Sequence, residues 1–208
     1  MAASDGSLGW PPWLAARVCV FSLDRNSMKS LVTSAVFASL LGLLPAAAQA
    51  QDARDQFFAT LKSLCGQQFD GVLVYPKDPR HDFAGKRLHA DFAACGERQI
   101  KVPFQVGEDK SRTWIISRTP AGLALQHDHR HADGTPDAVT MYGGMASTTG
   151  SALSQSFLAD DYTARLVKGA ATNVWTISVS ADGSTLTYHL ERDAQPRATV
   201  VFKRSGAG

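Results

Sequence analysis

The chain has 208 residues, 44% of them hydrophobic, with 21 basic and 19 acidic side chains and a formal net charge of +2. That near balance, with no basic stripe anywhere, gives nucleic acid and anionic membrane surfaces no electrostatic footing, so no nucleic-acid partner is expected.

"MKSLVTSAVFASLLGLLPAAAQA", from Met28 to Ala50, has the three parts of a secretory signal. Lys29 supplies the positive start, Leu31 to Leu44 the apolar run, and Ala48-Gln49-Ala50 the small-x-small cleavage site. A transmembrane anchor needs about 20 apolar residues. This run is shorter and stops at Pro45. Cleavage before Gln51 is therefore expected, with no integral membrane span in the mature form and a periplasmic or secreted destination. Residues 1–27 precede a signal that begins with its own methionine. They read as an over-long gene start or an extended n-region, in neither case folded. Residues 51–208 are of one-domain size, without repeats or a Pro/Gly/Ser-rich linker. A monomer is expected.

Cys19 falls in the discarded segment, which leaves Cys65 and Cys95. Two cysteines in an exported protein read as one disulfide. Zinc or a nucleophilic thiol would call for a CxxC pair or a neighbouring histidine, and neither accompanies them.

The domain opens on "DARDQFFATLKSLCG", where Phe57, Phe58, Leu61 and Leu64 recur at helical spacing and Gly66 ends the run, predicting one short amphipathic helix. After it the period is two. In "KRLHADFAA" Leu88, Ala90, Phe92 and Ala94 alternate with polar residues, and in "QIKVPFQV" Ile100, Val102, Phe104 and Val106 do the same. The alternation continues through "RTWIISRT", "GLALQHDHR", "AVTMYGG" and, more weakly, "SALSQSFL". It closes with Trp175/Ile177/Val179, Leu186/Tyr188/Leu190 and Ala198/Val200/Phe202. Turn signals at Pro120-Ala121-Gly122, Asp133-Gly134, Asp182-Gly183 and Asp193 to Pro196 separate the runs.

About nine to eleven consecutive half-buried strands predict an all-β fold, an up-and-down antiparallel β-barrel with one short N-terminal helix, because closure hides the common apolar face and removes exposed edges. A two-sheet sandwich produces the same alternation and is the alternative.

The short helix, the "CGQQFDGVLVY" entry to the first strand, the meander and the close "NVWTISVSADGSTLTYHLERDAQPRATVVFKR" together resemble the calycin group, that is, lipocalins and fatty-acid-binding-like barrels. The chain also resembles exported bacterial proteins with this signal and size. The likeness is architectural and spans most of residues 51–208. It implies a barrel with an internal ligand site. The lipocalin Gly-x-Trp signature is absent, Phe69 and Gly71 standing in its place, so no family binding residue is carried over.

In "GLALQHDHRH" strand periodicity puts Leu123, Leu125, His127, His129 and His131 on one face and Ala124, Gln126, Asp128 and Arg130 on the other. The histidines thus extend the apolar face toward the rim where Asp133-Gly134 turns the chain. Two histidines one residue apart share a metal comfortably, whereas His127 and His131 start roughly 13 Å apart on a straight strand. Asp137 or Asp133 would have to complete the set. Zinc, copper and nickel all suit imidazole. The competing readings are a polar hairpin end and a proton-sensitive or organic-ligand contact. A β-bulge between Leu125 and His127 would reverse the orientation.

Other signals are weaker. No Gly-x-Ser-x-Gly elbow is present. "TMYGGMASTTGS" reads as a flexible barrel loop in place of a phosphate cradle. Glu108/Asp109 and Asp160/Asp161 read as solvated loop carboxylates. Arg112, Trp114 and Arg118 share a face, where an arginine either reaches solvent or holds a ligand carboxylate.

The leading expectation is an exported, non-enzymatic β-barrel binding a small apolar or amphipathic ligand. Trp114, Arg118, Trp175 and Tyr188 are its candidate contacts, with a zinc or copper rim at His127, His129, His131 and Asp137 as an added feature. A periplasmic protein-binding module, such as a protease or lysozyme inhibitor, and a zinc-dependent hydrolase are the alternatives.

Overall fold

A computed structural model describes residues 52–206. The signal, its cleavage site and residues 1–27 lie outside the described residues.

Helix α1 (Ala53–Ser63) is started by Asp52, whose carboxylate accepts from the Arg54 N–H, and it buries Phe57, Phe58 and Leu61. The strands follow as β1 (Gln68–Tyr75), β2 (Leu88–Asp91), β3 (Ala94–Cys95), β4 (Gln99–Val106), β5 (Asp109–Thr119), β6 (Gly122–His129), β7 (Tyr142–Ala146) and β8 (Ser154–Ala159). After a second short helix, α2 (Asp161–Leu166), come β9 (Val174–Val179), β10 (Thr185–Arg192) and β11 (Gln195–Arg204).

Strands consecutive in sequence pair antiparallel, except β2 with β3, while β11 returns to β1 and β2 closes the wall against β4. Since β2 and β3 both pair with β4 they occupy one position, and the wall is a closed ten-strand antiparallel barrel. The sandwich alternative is excluded by that closure, because two separate sheets would leave edges that here are paired.

Inward residues alternate along every long strand, as in β4, where Ile100, Val102, Phe104 and Val106 are buried and Lys101 and Pro103 are exposed. The axis is filled. Phe69, Phe92, Phe104, Trp114, Phe157, Trp175 and Phe202 are each at most 3% exposed. Trp114 stacks between Phe104 at 4.8 Å and Tyr188 at 4.9 Å. Gly71 sits directly against the Phe202 ring, where a Cβ would approach Cδ1 to 2.4 Å.

Helix α1 covers one end of the barrel. Phe57 packs on Phe157 at 6.4 Å, Leu64 reaches the β9–β10 turn at Gly183, and Arg54 lies beside Gly122 of the β5–β6 turn. The other end carries the long 76–87 and 130–141 connections, the 160–173 segment and the β10–β11 turn, whose central residues Asp193 and Ala194 have φ of 52° and 55°.

Two sequence expectations need correction. "TMYGGMASTTGS" is not a flexible loop throughout, since Tyr142–Ala146 is strand β7. A Cβ on Gly143 would lie 1.9 Å from the Leu125 carbonyl oxygen, and one on Gly144 would lie 1.7 Å from that of Leu158. These glycines permit close strand approach. Nor are Asp160 and Asp161 both plain loop carboxylates. Asp160 caps α2 by accepting from the Thr163 N–H at 2.8 Å, while the buried Thr163 hydroxyl accepts from Gly143 N–H and donates to Gly143 C=O.

Among the described residues, no helix is long and apolar enough to cross a membrane. Cys65 and Cys95 form a disulfide spanning 30 residues, tying the segment after α1 to β3. A Cys65→Ser/Cys95→Ser variant is expected to lose about 3 kcal/mol of unfolding free energy by removing that closure. Urea unfolding with and without the substitutions measures it, and an unchanged midpoint contradicts it.

Candidate functional site

The open end holds a cavity of about 340 Å³ whose walls come from three connections and five strands. His81 and Phe83 arrive from the 76–87 loop, His129 and Tyr142 from the ends of β6 and β7, and Trp175, Tyr188 and Leu190 from β9 and β10. Asp137, Asn173 and Arg192 stand at the rim.

The β5–β6 ladder runs without a bulge through Ile116↔Leu125, Trp114↔His127 and Arg112↔His129. Leu125 and His127 are therefore both inward, 0% and 5% exposed, while His129 is half-buried in the cavity wall. Beyond it the strand ends. His131 is exposed and lies with Glu108–Ser111 and Arg130 in a separate surface groove.

His127 is locked. Its Nδ1 is 3.2 Å from the Tyr142 carbonyl oxygen and its Nε2 is 3.1 Å from the Tyr188 hydroxyl. A carbonyl only accepts, so Nδ1 carries the proton, and Nε2 accepts from Tyr188. The ring stacks on Tyr142 at 4.9 Å with a 10° interplanar angle. Burial pushes this imidazole down to about 3, so it is neutral at neutral pH, and burial raises the Tyr188 phenol well above its ordinary value.

The second pair is nearer the opening. The Tyr142 hydroxyl meets His129 Nε2 at 3.1 Å. Burial, aided by the Arg112 guanidinium, lowers His129, and burial raises Tyr142. Arg112 is itself paired with Asp109. Asp137 accepts from the Val139 N–H at 3.0 Å, which holds its carboxyl below the usual range.

Of the sequence-derived candidates, Trp175, Tyr188, His129 and Asp137 line this cavity. Trp114 lies in the packed core beneath it, stacked on Tyr188. Arg118 is at the opposite end, its guanidinium 4.4 Å from the Phe58 ring centre and 3.4 Å from Asp55. It neither lines the cavity nor faces solvent freely; it clamps α1. The expected rim of His127, His129, His131 and Asp137 is not brought together as a set. Both nitrogens of His127 are engaged and His131 lies outside. Among the described residues, no group of three or more His, Cys, Asp or Glu side chains is placed to hold a metal ion.

Sequence reasoning missed Phe83, His81, Tyr142, Asn173 and Arg192 as wall residues. Arg192 was visible in principle. It continues the inward parity of Leu186, Tyr188 and Leu190.

Above pH 6.5 folded and unfolded chains both hold His127 neutral, and it contributes nothing to pH dependence. Below 6.5 the unfolded state takes up a proton that the folded state refuses until about 3, so stability falls as pH falls, by up to about 1.4 kcal/mol per pH unit. Urea unfolding between pH 6.5 and 4.5 should show this slope in the parent and a shallower one in His127→Gln. Equal slopes would remove the neutral-imidazole assignment.

Comparison with protein-family models, with curated proteins and with solved structures finds no match for this chain.

Proposed function

We propose that the protein is an exported binding barrel whose mouth cavity takes a small, flat, amphipathic organic molecule. The observation that carries this is the cavity itself. About 340 Å³ falls in the range of roughly 300–1,000 Å³ usual for small-molecule sites, and its walls combine the rings of Trp175, Tyr142, Tyr188 and Phe83 with a few polar side chains, among them His81 and His129. Rings 4.5–7 Å apart in stacked or tilted arrangements are the natural neighbours of another flat ring. Here His127, Tyr142 and Trp175 already form such a set at 4.9–6.2 Å.

The filled axis defines what the ligand is not. A long alkyl chain threaded down the barrel would have to displace Trp114, Phe104 and Phe202, which interlock at 4.8–6.0 Å. The ligand therefore sits in the mouth, over the Trp114–Tyr188 stack. The Cys65–Cys95 disulfide supports an oxidising destination outside the cytoplasm.

Isothermal titration of the full chain with 2-naphthol should give saturable one-site binding. Tyr142→Ala, checked for folding by circular dichroism, should weaken it about tenfold, or about 1.4 kcal/mol. Palmitate should not compete. Absence of saturable 2-naphthol binding would overturn the proposal.

A further inference from the structure

We infer that the mouth cavity is selective for planar aromatic carboxylates held ring-down and carboxylate-out, with Arg192 as the group that receives the anion. This rests on the binding reading above and adds the charge and orientation of the ligand.

Arg192 is the last inward-parity position of β10, two residues beyond Leu190, and both line the cavity with Tyr188 below them. Its Nε donates to Asn173 Oδ1 at 2.8 Å. Asn173 is 5% exposed and is held through its own backbone, its N–H donating to Ala170 C=O and its C=O accepting from Ala159 N–H. The Asn173 side chain can therefore serve as a fixed stop for the guanidinium, while Nη1 lies beside Gly169. Among the described residues, no acidic side chain forms an ion pair with Arg192.

Several arginines near the barrel ends are ion-paired and several are not. Arg54 is matched by Asp52, Arg112 by Asp109, Arg118 by Asp55 and Arg130 by Asp128. Arg87, Arg98, Arg165, Arg197 and Arg204 likewise form no ion pair among the described residues, but of these unpaired arginines Arg192 is the one that lines the mouth cavity, where the neutral Asn173 amide fixes its fork through Nε without supplying a counter-charge. A guanidinium presents its terminal N–H groups in a plane that matches a carboxylate. The acids of the rim are differently placed. Asp137 takes the Val139 N–H and stands near His129 and His131, and Asp82 is exposed.

Orientation follows from burial. The floor is aromatic, and the Tyr188 hydroxyl there is given to His127 and is not free to donate to an anion. A carboxylate placed downward would be desolvated without compensation. Placed upward it meets Arg192 and stays partly hydrated, while the arene covers the Trp175 and Tyr142 faces.

The test compares naphthalene-2-carboxylate with its neutral isostere naphthalene-2-carboxamide by isothermal titration of the full chain, in the parent and in Arg192→Gln, with 2-naphthol as the control for the cavity. The expected result is at least about tenfold tighter binding of the carboxylate to the parent. Arg192→Gln should abolish that preference. Equal affinity of the two naphthalenes in the parent would overturn the anion assignment while leaving the cavity reading standing, as would a preference that survives Arg192→Gln. Failure of 2-naphthol to bind the parent would instead remove the underlying reading and the inference with it.

Discussion

A closed wall of ten strands encloses a column that must be filled with side chains or left to solvent, and the rest of this structure follows from how that column is filled. Aliphatic residues alone reach too little of the axis. Interlocked rings occupy its middle instead, with Trp114 between Phe104 and Tyr188 and with Phe202 edge-on to Trp114. Close-packed interiors tolerate few voids larger than a water molecule. Space therefore remains only where the wall ends, and the two ends are treated differently.

At one end α1 lays Phe57, Phe58 and Leu61 over the column, and Arg118 clamps it by lying over Phe58 while pairing with Asp55. The Cys65–Cys95 bridge secures the chain just after the helix. At the other end no helix among the described residues lies across the axis. Loops carrying Phe83, Asp137 and Asn173 surround the opening, and α2 supports it from the side through the Thr163 hydroxyl, which accepts from the Gly143 N–H and donates to its carbonyl, an oxygen that also accepts from the Asp160 N–H. The asymmetry leaves one end covered by a helix and the other with an open cavity.

The two histidine–tyrosine pairs mark the boundary between core and cavity. His127, held by a carbonyl on one nitrogen and a hydroxyl on the other, belongs to the core, where a neutral imidazole is a polar group with its hydrogen bonds complete. His129 has the same kind of partner in Tyr142 but stands half-buried in the cavity wall. Two positions along one strand are enough to change an imidazole from a filled-in core residue to part of the cavity wall.

Much of this was legible in the chain. Period-two alternation from Leu88 to Phe202, broken by Asp-Gly and Pro-Ala-Gly turns, determines antiparallel strands in sequence order, because a strand's faces alternate whatever it packs against. Two remaining cysteines determine the disulfide, and inward parity determines that Leu125 and His127 share a face. Tertiary structure decided which inward residues are core and which are wall. Trp114 and Trp175 have the same local pattern, yet only the second lies at the mouth. It also decided that Arg118 and Arg192, both inward by parity, serve opposite ends, and that the glycines at 143 and 144 admit neighbouring backbones. Local sequence records which way a side chain points from its own strand. How high that strand stands in the barrel, and what arrives from the other side, depends on register between segments far apart in the chain, and that is settled only when the wall closes.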